Sequence, residues 1–185
     1  MSERPEARGR WNSGAIRAVL AAVLTMIGLC SCESGKAVRP YHYSFEHGKT
    51  ALLRDGRAAA PRSAPAAVHR AVQAGNELQG ARYCYGGGHR VLCDPRGYDC
   101  SGTASYVLNK AGLMKGSMPS QGFKKWGEAG EGRWITLYAK SGHVFMVIAG
   151  LRLDTGTRRT DEDGPRWRTR DRATKGFIMR HPPGL

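Results

Sequence analysis

The chain has 185 residues, enough for one domain with a leader, and its 25 glycines point to many tight turns. Its formal charge of +14 attracts polyanions, but the basic residues are scattered without the helix or aromatic–basic pattern of a nucleic-acid binder, so no nucleic-acid partner is expected. No apolar run reaches the roughly 20 residues that a membrane-spanning helix needs.

Residues 1–17 are polar and carry Arg4, Arg8, Arg10 and Arg17, and the uncharged run Ala18 to Leu29 follows. A basic start, a short apolar core and a small-residue exit read as a secretory signal. Leu29-Cys30-Ser31-Cys32 resembles a bacterial lipobox, which makes Cys32 the residue to be lipidated and the domain tethered to a membrane surface in the cell envelope or periplasm. A plain cleaved signal with incidental cysteines is the alternative. Residues 1–32 hold four Arg and two Glu, so the remainder keeps 25 basic against 13 acidic residues. In an exported protein such a surface suits anionic wall polymer or lipid headgroups.

Residues 33–62 are polar, basic and Ala/Pro-punctuated and read as a flexible tether, with room for a short ordered piece around Tyr41–Phe45. The domain proper is expected over 63–185. A helix is predicted from Ser63-Ala64-Pro65, with Ser63 as cap and Val68, Ala71, Val72, Gly75 and Leu78 on one face, stopped by Gly80. Residues 81–99 are loop-like, with Gly86-Gly87-Gly88, Pro95 and Gly97. A second helix is predicted from Cys100 or Ser101 to Ala111, closed by Gly112, followed by a glycine-rich connection from Met114 to Gly132. Trp134–Tyr138, His143–Ile148, Leu151–Asp154 and Phe177–Arg180 then read as strands, with Ala149-Gly150 as a tight hairpin and 156–175 as a long loop. Helices first and hairpin-linked strands later predict an α+β fold with an antiparallel sheet.

In an exported chain cysteines pair or carry a function. Setting Cys30 and Cys32 in the leader aside leaves Cys84, Cys93 and Cys100, and a Cys84–Cys93 disulfide would leave Cys100 free. Asp99-Cys100-Ser101-Gly102 sits at a loop-to-helix junction, where the dipole and orphan N–H groups favour a thiolate and can receive an oxyanion. Gly102 is read as giving a substrate room to approach. His143, opening the most apolar strand, is the matching base. His42, His47, His69 and His181 lie in worse positions, and His89 reads as a substrate-side or structural residue. No cofactor is expected, and no metal, because no Cys/His cluster has ligand spacing.

Tyr83-Cys84-Tyr85-Gly86-Gly87-Gly88, then Tyr98-Asp99-Cys100-Ser101-Gly102, then Gly142-His143-Val144 resemble the NlpC-type cell-wall cysteine peptidases over about residues 65–155. The resemblance implies a papain-like fold, with N-terminal helices packed on an antiparallel sheet and the nucleophile at a helix N-terminus. It implies peptidoglycan as partner, and cleavage of the γ-D-glutamyl–diaminopimelate bond of stem peptides. On the matching positions Cys100 is the nucleophile, His143 the general base and Tyr83 an oxyanion-side hydroxyl. Asp99 and Ser101 line the pocket for the stem peptide's free amino end. The chain departs from the family where the imidazole-orienting His, Asn or Gln is usual, and Asp154, eleven residues after His143, is the candidate there. Capping of the Thr155-Gly156 turn is the competing role for Asp154. An N-acetylmuramoyl–L-Ala amidase, a cross-bridge hydrolase and a non-catalytic wall-binding lipoprotein are the rival functions, and a monomer is expected.

Overall fold

The computed structural model describes residues 38–156 and 163–185, all within one compact unit, Ala37–Leu185. The proposed leader, with Cys30 and the lipidation candidate Cys32, lies outside the described residues. In chain order the elements are β1 (Leu52–Arg54), β2 (Arg57–Ala59), helices α1 (Ala66–Glu77), α2 (Cys100–Ala111) and α3 (Ser120–Phe123), then β3 (Glu128–Ala129), β4 (Ile135–Lys140), β5 (His143–Ile148), β6 (Leu151–Asp154), β7 (Arg166–Arg168) and β8 (Ile178–His181). The fold is α+β: β3 to β8 form one antiparallel sheet in the order β3-β8-β4-β5-β6-β7, and β1 and β2 pair as a separate hairpin.

Two-residue turns close the central hairpins. Ala149 and Gly150 both take positive φ, 45° and 76°, and bring Ile148 opposite Leu151, the twist that a tight hairpin requires. Along β5 the side chains alternate. Val144, Met146 and Ile148 enter the main core with Val68, Val107 and Leu108 of the helices. Phe145 joins Tyr138 and Phe177 in a smaller cluster, with Val38 and Val147 against it. Asp99 caps α2 by accepting from the Gly102 N–H at 2.7 Å, and Gly112 ends the helix at φ 79°, so both ends match their sequence signals.

The first helix differs at its start. Pro65 occupies the cap position without a side-chain bond, and the Ser63 hydroxyl donates instead to the Gly48 carbonyl at 2.9 Å. The predicted apolar face is buried as expected, with Gly75 leaving room for the Trp167 ring laid against it. The connection 114–132 holds α3 and β3, and the loop 156–175 contributes β7.

The larger correction concerns the expected tether. Residues 38–62 are part of the packed domain, with Tyr41, Ala51 and Ala58 buried. Tyr41 exchanges backbone hydrogen bonds with Arg172, and its hydroxyl accepts from the Arg152 N–H while donating to the Gly150 carbonyl, each at 3.1 Å. Asn76 fastens the β1–β2 hairpin to the helix layer: its amide spans Ala58 N–H and C=O at 2.8 Å each, and its oxygen also accepts from Trp167 Nε1 at 2.9 Å. Asn76→Ala leaves three buried polar groups without partners, so a loss of at least about 2 kcal/mol is expected, read from the chemical-denaturation midpoint.

Candidate active site

Helix α2 begins at Cys100 and strand β5 begins at His143, and the two ends meet at one edge of the sheet. His143 is hydrogen-bonded to Asp154 and shares a cleft with Cys100, whose side chain favours the charged imidazole. Its Nε2 donates to Asp154 Oδ1 at 2.9 Å, which leaves Nδ1 unengaged by the carboxylate. Asp154 is the last residue of β6 and is 1 % exposed. A carboxylate so deeply buried needs compensating partners, and the sheet supplies them. Arg152, two residues earlier on the same face, donates Nη1 to Asp154 Oδ2, and Arg172 Nε lies 3.5 Å from the same oxygen. Asp154 therefore orients the imidazole rather than capping the following turn.

Burial by itself disfavours the charged imidazole. The hydrogen bond to Asp154 and the Cys100 side chain, together with their negative charge, outweigh it and push His143 up from 6.5 to about 9. The side chains thus favour an imidazolium beside the sulfur at neutral pH. Tyr83, Cys100 and His143 line a shared cleft of about 160 Å³ with Lys140, Thr155 and Arg172. Such an arrangement is equipped for nucleophilic acyl transfer: a thiol with an adjacent proton carrier, and a carboxylate fixing that carrier's tautomer.

The other residues expected to bind substrate have local duties. Asp99 Oδ1 accepts from the Gly102 N–H, from the Ser101 hydroxyl at 2.9 Å and from His89 Nε2 at 3.1 Å, while Oδ2 accepts from the Gly86 N–H at 2.9 Å. His89 Nε2 also sits 3.1 Å from Ser101 Oγ. This carboxylate braces the helix start against the glycine loop, and His89 joins it to Ser101. Gly102 is needed for a different close approach: a Cβ there would collide with the Gly87 carbonyl oxygen, not with a visitor. Cys84 and Cys93 are both free thiols, so the expected disulfide is not formed.

Sequence reasoning missed Arg152, Lys140, Thr155 and Arg172. Only Arg152 left a local signal, since it precedes Asp154 by two in a strand and must share its face. Among the described residues no group of three His, Cys, Asp or Glu side chains is placed to hold a metal ion, and no helix is long and apolar enough to cross a membrane. The class defined by fold and site is an α+β protein with a Cys–His–Asp constellation at the joint of a helix and a sheet. The chain matches no family model, no curated protein and no solved structure.

Proposed function

We propose that this protein is an exported, papain-like cysteine peptidase of the NlpC type that hydrolyses peptidoglycan stem peptides, at the γ-D-glutamyl–diaminopimelate bond. The observation that carries this reading is His143, hydrogen-bonded to the buried carboxylate of Asp154 and facing the same cleft as Cys100 at a helix N-terminus. The Tyr83, Asp99-Cys100-Ser101-Gly102 and Gly142-His143 motifs and the basic, apolar leader support the substrate and the compartment.

In the proposed reaction the Cys100 thiolate attacks the amide carbonyl, and first-turn N–H groups of α2 with the Tyr83 hydroxyl stabilise the oxyanion. The carbon–nitrogen bond breaks as the His143 proton passes to the leaving amine, which leaves a thioester. His143 then takes a proton from water, whose oxygen displaces the sulfur. Mass spectrometry of purified peptidoglycan after digestion tests the reading. New free amino groups on diaminopimelate are expected; products opened only at N-acetylmuramoyl–L-Ala or at a cross-bridge would assign the protein to one of those hydrolases, and unchanged muropeptides would refute hydrolysis.

The pH dependence has a definite sign. Protonation of the leaving amine needs imidazolium, so kcat/KM is expected to fall as pH rises through about 9. The raised value also stabilises the fold, fully below the ordinary 6.5 and no longer once pH has passed about 9. Initial rates and melting temperatures across that window check both statements.

A further inference from the structure

We infer that the cleft beside Cys100 carries a carboxylate subsite built from Lys140, Arg172 and Thr155, so that the peptide taken there has a free carboxylate next to the amide that is cut. The inference rests on the cysteine-hydrolase reading above and names the chemistry that its cleft selects.

Lys140 and Arg172 line the same cleft as Cys100 although both are cations. Among the described residues Lys140 has no carboxylate partner and is held by an aromatic face, while Arg172 shares Asp154 with Arg152 and lies over two aromatic rings. Lys140 Nζ lies 4.5 Å from the Phe177 ring centre, and the Arg172 guanidinium carbon lies 6.0 Å from Phe177 and 5.5 Å from Phe145. Stacking of this kind fixes a cation without neutralising it. The buried carboxylate of Asp154 is already shared, with Oδ1 taken by His143 and Oδ2 by Arg152 and Arg172, and the buried Asp163 lies on the far side of Gly156.

Three buried donors in this cluster have no hydrogen-bond acceptor among the described residues, Arg152 Nε, Arg172 Nε and the Thr155 hydroxyl, although Arg172 Nε keeps its ion-pair contact with Asp154 at 3.5 Å. Arg172 and Thr155 line the cleft. Unpartnered buried donors are rare and call for an explanation. A carboxylate entering the cleft meets the Lys140 ammonium and the guanidinium of Arg172 that Asp154 only partly engages, with the Thr155 side chain beneath, and guanidinium with carboxylate is a favourable planar pairing. In a γ-linked glutamyl peptide the α-carboxylate stays free near the scissile carbonyl, and the cleft of about 160 Å³ has room for it.

Alkylation of Cys100 tests the subsite without any turnover. Iodoacetate carries a carboxylate and iodoacetamide is its neutral counterpart, and peptide mapping separates Cys100 from the free thiols of Cys84 and Cys93. Relative to a model thiol, wild-type Cys100 is expected to prefer iodoacetate by about tenfold. Lys140→Gln and Arg172→Gln should each lower that preference about threefold or more, while Lys140→Arg and Arg172→Lys keep most of it. A wild-type preference no greater than that of the model thiol, or one that Lys140→Gln leaves unchanged, overturns the subsite. If Arg172→Gln does not fold, Lys140→Gln decides alone.

A second arm uses two amidated forms of the stem peptide. Amidation of the carboxylate beside the scissile bond is expected to lower kcat/KM about tenfold or more, and Lys140→Gln should erase the difference. Loss only on amidating the C-terminal carboxylate overturns the placement beside the scissile bond. If no peptide is cut, the hydrolase reading fails while the alkylation ratios still decide the subsite.

Discussion

Cys100→Ala is expected to lower turnover of L-Ala-γ-D-Glu-diaminopimelate by roughly 10⁴-fold or more, with the circular dichroism spectrum unchanged. Among the described residues no other thiol is placed to take over. Cys84 and Cys93 sit in the preceding loop, and only Cys100 shares the cleft with His143. The fold should survive, because Cys100 is only partly buried at the edge of the core and its loss removes a single sulfur atom. About 1 kcal/mol is the typical scale of such a change. His143 also loses one of the two side chains that favour its charged form, so its titration, followed by NMR, should move down from about 9. Wild-type-like turnover in this variant would refute the mechanism.

Asp154→Asn acts on activity and on stability together. The amide still offers His143 one acceptor, but its NH₂ then confronts the Arg152 guanidinium, donor against donor. Arg152 is itself buried, its charge already disfavoured by burial and upheld by Asp154. Removing one partner of a buried ion pair costs about 3–5 kcal/mol. For a domain of this size that corresponds to a fall in melting temperature of roughly 10 °C. Loss of the imidazole's tautomer and orientation should lower kcat by about 10³-fold, within the range seen when such a carboxylate becomes an amide. The downward shift of the alkaline limb of kcat/KM separates this role from mere destabilisation. A variant with the wild-type limb and kcat but a lowered melting temperature would leave Asp154 a structural residue only.

The glycine loop shows how much of a motif's local structure its spacing leaves unsaid. Asp99 and Gly102 lie next to Cys100 in sequence, so their placement at the site was secure. Their duties depended on what approaches them, and that is the Gly87 carbonyl and the Gly86 N–H. The expected disulfide failed for a related reason. Sequence spacing says nothing of whether two Cβ vectors meet, and in the folded loop they do not form a bond. The expected tether is packed because its short apolar pieces, Tyr41, Ala51-Leu52-Leu53 and Ala58-Ala59-Ala60, find partners elsewhere in the chain: Gly150 and Arg172 for Tyr41, Ala149 for Ala51 and Asn76 for Ala58.

What the sequence determined by itself was the local chemistry. Asp99 before Cys100 and Gly112 after Ala111 are the start and stop of a helix, and alternation with a two-residue turn places His143 and Asp154 at matching strand ends. These signals act over a few residues, through caps, turns and periodicity, and they are legible wherever they occur. The tertiary structure alone decided that Asp154 reaches His143, that Arg152 and Arg172 balance it, and that Lys140 and Thr155 look onto the same cleft. Those placements depend on which strands pair and what covers the sheet's second face. They arise from contacts between distant segments, where a charge becomes buried or exposed only after the chain has closed around it.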